Sequence, residues 1–78
     1  MREFEIRLRS VQDVQEFVTL ATTRSFTVLV SDDHHRVNGK SFMEMFCLNF
    51  SNRLIAAAEC SEQEFEQFRS EAWHFLEK

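Results

Sequence analysis

Val37-Asn38-Gly39-Lys40-Ser41-Phe42-Met43-Glu44-Met45-Phe46-Cys47-Leu48-Asn49-Phe50 is read as a short strand, a tight turn and a helix opened by a serine. Glu44 follows Ser41 by three residues, the spacing at which a serine and a glutamate cap a helix start reciprocally. Gly39 is expected to free the backbone for the turn. The helix that follows is short and nearly all apolar, so both of its faces cannot point inward. Phe42, Met43 and Phe46 lie within one turn of each other and can share a face. An exposed cluster of that kind is costly unless it binds something. The competing reading puts Met43 and Phe46 in the core with Phe42 on the rim.

Working outward, two more serine-acid pairs appear at the same spacing, Ser10 with Asp13 and Ser61 with Glu64. After Ser10, Val11, Val14, Phe17, Val18 and Ala21 recur at helical spacing. After Ser61, Phe65, Phe68, Ala72, Phe75 and Leu76 form an amphipathic stripe expected to run to the end of the chain. Between these helices the period changes to two. Phe4, Ile6 and Leu8 alternate with Glu3, Glu5, Arg7 and Arg9, a strand with one wet face. Phe26, Val28 and Val30 alternate with Thr27, Leu29 and Ser31, and Leu54 to Glu59 is a strand in which three alanines replace larger side chains. Asp32-Asp33-His34 reads as a hairpin turn, with His34 able to accept a positive φ there. The order is strand, helix, strand, strand, helix, strand, helix. Helices laid on one face of a mainly antiparallel sheet make an α+β two-layer sandwich, with Arg7, Arg9 and Thr27 on the wet side.

Seventy-eight residues make a single domain, residues 1–78, with no linker or repeat. Nine Phe and one Trp supply the core material, and the absence of Pro and presence of one Gly argue against a disordered chain. A net charge of −4 with thinly spread arginines disfavours nucleic acid. No apolar run reaches the length of a membrane span and the charged first nine residues are no secretory signal, so the cytoplasm is the expected compartment. Cys47 and Cys60 lack C-x-x-C spacing and read as small, buried or half-buried residues in a reducing compartment. His34, His35 and His74 read as solvated surface histidines. A metal site built from Asp32, Asp33, His34 and His35 would be a flexible turn without supporting groups, and neither a metal nor another cofactor is expected.

Three segments together resemble HPr, the histidine-containing phosphocarrier family of the bacterial sugar phosphotransferase system. Phe17-Val18-Thr19-Leu20-Ala21-Thr22 looks like the family's F-V-x-x-A-[SN] in its first helix. Val37-Asn38-Gly39-Lys40-Ser41-Phe42-Met43 is similar to its V-N-A-K-S-[IL]-M run. Ala58-Glu59-Cys60-Ser61-Glu62-Gln63 stands where the family has A-E-G-x-[DE]-E. The resemblance covers roughly Val14 onward. It implies the HPr-like open-faced sandwich, β-α-β-β-α-β-α, with strand order 1-4-2-3 and three helices on one face. A ferredoxin-like split βαβ domain binding a small ligand fits the first six elements as well, but the terminal helix and the Val37–Met43 run favour the HPr-like fold.

The family's G-L-H-A-R-P active-site segment has no counterpart. Alignment without gaps from Phe17 puts Ser10 at the phosphorylated histidine, Gln12 at the arginine and Asp13 at the proline. A phosphoserine ester is not the high-energy donor that a phosphoimidazole is, and Asp13 adds a negative charge where an anion would dock. The expectation is therefore a non-enzymatic protein-binding or regulatory module. It would contact a phosphotransferase-system component or regulator through Phe42, Met43 and Phe46, the positions of the family's exposed apolar patch. Ser41 aligns with a serine that the family uses as a regulatory phosphorylation site, and a simple helix cap is the favoured reading of it. The alternative function is a working phosphocarrier charged by Enzyme I. The residues leave oligomeric state open.

Overall fold

The computed structural model describes residues 1–51 and 53–76. Its elements are β1 (Arg2–Ile6), α1 (Val11–Thr22), β2 (Val28–Ser31), β3 (Arg36–Asn38), α2 (Phe42–Met45), β4 (Leu54–Ala58) and α3 (Glu62–Glu71), followed by a 3₁₀ turn at Trp73–Phe75. The four strands form one antiparallel sheet in the order β1-β4-β2-β3. That order excludes the ferredoxin-like arrangement, which would put the first and third strands together at the centre.

The sheet follows from the period-two pattern. Phe4 and Ile6 on β1, Val28 and Val30 on β2, Val37 on β3 and Leu54, Ala56 and Ala58 on β4 all point into the core. The small inward side chains of β4 sit mid-sheet, and the helices fill the layer above with rings. Phe68, fully buried, is the hub. It meets Phe4, Phe17 and Phe26 at ring-centroid distances of 5.8, 6.1 and 5.7 Å, and Phe17 meets Phe75 at 5.7 Å. Edge-to-face pairs of this kind add to the burial of the rings themselves.

All three serine caps form. Ser10, Ser41 and Ser61 each accept a hydrogen bond from the backbone N–H three residues on, at 3.2, 3.3 and 3.2 Å. Only Ser61 closes the full reciprocal box, its own N–H donating to Glu64 Oε1 at 3.1 Å. The Asp13 carboxylate instead accepts from the N–H of Arg9, and that of Glu44 from the N–H of Asn38.

Six local expectations are corrected. The last helix ends at Glu71, where the Ala72 N–H is shared between the Phe68 and Arg69 carbonyls and the chain tightens into the 3₁₀ turn. Tertiary contacts draw the chain away from the helix there: the Arg7 N–H donates to the Phe75 carbonyl at 2.6 Å, and Leu76 bridges to Ile6 along the outer edge of β1. The paired part of β1 correspondingly stops at Ile6, although Leu8 stays buried. No described residue has a positive φ, so neither Gly39 nor His34 is there for conformational freedom. Gly39 is there for space: a Cβ on it would stand 2.8 Å from Val28 Cγ1 and 3.2 Å from both the Val28 carbonyl and Val30 Cγ2. Finally, Val11 and Cys47 are exposed rather than buried.

Candidate functional site

α2 is a single turn held in place at both ends. Before it, the Ser41 N–H donates to the Asn38 carbonyl, the Lys40 N–H donates to Asn38 Oδ1, and Lys40 Nζ donates to the Arg24 carbonyl just past the end of α1. After it, the Asn49 N–H donates to Asp32 Oδ2 at 2.8 Å. Asp32 Oδ1 also accepts from the N–H groups of His34 and His35, at 2.8 and 2.7 Å. These bonds to the ionised carboxylate, that from Asn49 foremost, hold Asp32 well below the usual carboxylate range. Asp32 thus ties the β2–β3 turn to the chain leaving α2. Both its oxygens accept from backbone N–H groups, which makes it a structural clamp.

With so short a helix pinned this way, Met45 and Leu48 face inward and other apolar side chains are left outside. Met43 is 80% exposed and Phe46 45%, while Phe42 is half-buried. The core-filling reading of Met43 and Phe46 is thereby replaced by a surface one. The Phe42 and Phe46 rings meet edge to face at 4.8 Å, and Phe46 meets Phe50 at 6.3 Å, so the patch is an ordered aromatic row.

This row borders a mainly apolar hollow of about 330 Å³ between the start of α1 and the chain after α2, lined by Leu8, Val11, Val14, Phe46 and Phe50 together with Arg9 and Ser10. Leu8, Val11, Val14 and Phe50 were not among the site residues expected from sequence. Their helical and strand periodicity shows only that they are apolar, and the hollow exists because three separated segments converge.

Ser10 lies on the rim of that hollow, at the mouth of α1. Its hydroxyl accepts from the Asp13 N–H, and the Asp13 carboxylate sits over the same first turn, bonded to the Arg9 N–H at 2.9 Å. A negative charge at this end of a helix is favourable, and here the chain supplies it itself. The imidazoles lie elsewhere: His34 and His35 in the β2–β3 turn, His74 on the 3₁₀ turn against Trp73. Ser41 is half-buried and serves as the α2 cap. Cys47 and Cys60 are free thiols, and burial together with nearby Glu64 pushes the Cys60 thiol up from its ordinary value. Among the described residues, no helix is long and apolar enough to cross a membrane.

Strand order, the three helices on one face and the capped helix mouth beside a short second helix define an HPr-like fold. The crystal structure of HPr-C-His from Thermoanaerobacter tengcongensis matches it with a TM-score of 0.74 at 26% identity, over 91% of this chain and 89% of that one. A histidine-containing phosphocarrier protein of Mycoplasma matches with a TM-score of 0.65 at 13% identity, over 91% and 96% of the two chains. No protein-family model matches the sequence, and no curated protein matches it.

Proposed function

We propose that this chain is a protein-recognition module related to the phosphotransferase system, one that docks on a partner protein and does not itself relay phosphate. One observation carries the reading. An ordered apolar surface, Phe42, Met43 and Phe46 continuing into the hollow at Val11 and Phe50, adjoins a helix mouth that Ser10 and Asp13 already occupy. Exposed aromatic and methionine side chains around a concave centre are the usual anchors of a protein interface. The mouth offers a hydroxyl and a carboxylate where a phosphoryl relay would require an imidazole and no competing anion. A phosphoryl group on Ser41 would stand beside Glu44 at the edge of the Phe42–Phe46 pair, and its charge would oppose docking of an apolar partner there.

Two measurements test this. Incubation with Enzyme I and phosphoenolpyruvate should leave the intact mass unchanged, and a stoichiometric gain of acid-labile phosphate would establish the chain as a carrier instead. Calorimetric titration against the phosphotransferase-system proteins of the same organism should find one that binds the wild type and loses at least about tenfold in affinity for Phe46→Glu. Equal affinity for that variant would remove the patch from the account.

A further inference from the structure

Trp73 is the one tryptophan of the chain, and the core does not use it. It stands 61% exposed on the 3₁₀ turn, with the His74 ring beside it at 4.5 Å. It borders an open groove of about 500 Å³ between the later half of α1 and that turn, where Leu20 and Phe75 offer apolar contact and Glu16 and Glu71 offer carboxylates. None of these residues lines the hollow beside α2. Among the described residues, no Lys or Arg lines the groove. Arg24 acts on it through Glu71, whose Oε1 its guanidinium meets at 2.6 Å, and so neutralises one of the two carboxylates. Glu16 is bonded to the uncharged amide of Gln12, Nε2 to Oε2 at 3.2 Å. With His74 neutral, the groove keeps one uncompensated negative charge beside an exposed indole.

We propose that this groove receives an arginine side chain from a protein partner, as a recognition surface separate from the α2 patch. The charge complementarity is local: the free carboxylate of Glu16 is the group a partner's cation would meet. The indole adds a second attraction, because the face of a tryptophan ring draws a cation toward it. Arginine matches both features at once. Its planar guanidinium stacks on an aromatic face while its fork of donors is aimed at a carboxylate, whereas the lysine ammonium is a compact and strongly hydrated point charge. The apolar stem of the same side chain can lie along Leu20 and Phe75. The groove is open rather than enclosed, which suits a segment of chain laid across it better than a small molecule held inside. A net charge of −4 favours the approach of a basic segment. Glu16 is exposed, so the contact is weak and screened by salt.

Because Trp73 is the sole tryptophan, its emission reports the groove directly. The full chain is titrated with a short blocked peptide of arginine and glycine, free of aromatic residues. A saturable change in emission is expected, with a midpoint in the millimolar range, roughly 1 mM, that rises with salt. The same peptide with citrulline in place of arginine keeps the shape and loses the charge, and it should leave the emission unchanged. A lysine peptide should bind more weakly than the arginine one. Glu16→Gln should weaken binding at least about threefold, whereas Glu3→Gln, an equal change of net charge on the sheet, should not. No saturable change up to about 10 mM, or equal binding of the citrulline peptide, would overturn the proposal. Equal binding of the lysine peptide would overturn the choice of a guanidinium, and equal loss in Glu16→Gln and Glu3→Gln would reduce the effect to net charge and overturn the site. Phe46→Glu should bind the arginine peptide as the wild type does. Loss in that variant would place the peptide at the α2 surface instead, so the outcome does not depend on whether that surface docks another protein.

Discussion

Phenylalanine is used in two ways in this molecule, as a cluster around Phe68 and as a row along α2 and the chain after it. Phe4, Phe17, Phe26, Phe65, Phe68 and Phe75 gather under α1 and α3, with Phe68 at the centre and fully buried. Phe42, Phe46 and Phe50 form a second row with the same edge-to-face geometry, yet Phe46 is nearly half exposed. Ring geometry does not separate the groups; what lies above the rings does. The inner rings are roofed by two helices of ten residues or more, whereas α2 has four residues and covers nothing beyond Met45 and Leu48. Burial of Phe4, Phe17, Phe68 and Phe75 holds the fold together, with Phe26 and Phe65 half-buried at its margin, and the exposure of Phe46 leaves surface free for another molecule.

The harshest way to break this contrast is at the hub. Phe68→Ala should cost about 3–5 kcal/mol, the range for emptying a buried aromatic site. A domain of this length has only about 4–12 kcal/mol in total, so chemical denaturation should show at least about a quarter of the stability lost. A loss below about 1 kcal/mol would mean that the inner rings are no better packed than the outer ones.

Gly39→Ala comes next. The added methyl would press on the branched Val28 side chain and the Val28 carbonyl, neither of which can swing away. A cost of about 1–3 kcal/mol is expected, read from the denaturation midpoint. Since Gly39 has a φ that any residue adopts, an unchanged midpoint would show that β2 yields easily and that the seat of α2 is soft.

Asp32 holds the other end of that seat, and its contribution depends on pH. Its carboxyl titrates lower in the folded chain than in the unfolded one. The stability it adds is therefore fully present above the ordinary carboxylate pKa and is lost as pH falls through the folded value. In Asp32→Asn that acid-dependent part should vanish, so the difference in stability between variant and wild type should shrink as the pH is lowered. Amide exchange at Asn49 should quicken in the variant at neutral pH. A difference that is constant with pH would mean that the carboxylate's charge plays no part in the clamp.

The contrast between the two phenylalanine groups was only partly legible in the amino-acid order. The caps at Ser10, Ser41 and Ser61, the alternation in β1 and β2 and the stripe of α3 follow from spacings of two to four residues, and these gave the element order. The 1-4-2-3 strand order and the exposed patch at Phe42, Met43 and Phe46 came instead from the resemblance to a known family. What spacing could not show is proximity across elements. Val11 repeats in step with Val14 and Val18 and so reads as core, yet it falls on the open rim of the hollow because nothing in α2 reaches over it. The end of α3 is set by Arg7 and Ile6, nearly seventy residues away, and no glycine or proline marks it. Gly39 reads from sequence as a residue that frees the backbone for a turn, whereas its role depends on two valines of a neighbouring strand.

The smallest effect on stability should come from the outer row itself. Phe46→Ala removes a ring that is already 45% exposed and stands on the wall of an open hollow rather than in the core. What is lost is its edge contact with Phe42 and the partial cover it gives Phe50, together about 1 kcal/mol or less. Double-mutant analysis with Phe42→Ala should assign most of that to the pair. If the outer rings serve recognition, the same substitution that barely moves the denaturation midpoint should weaken partner binding far more than it weakens the fold. Should Phe46→Ala destabilise as strongly as Phe68→Ala, the two groups would be one core, and the surface beside Ser10 would have no energy to spare for a partner.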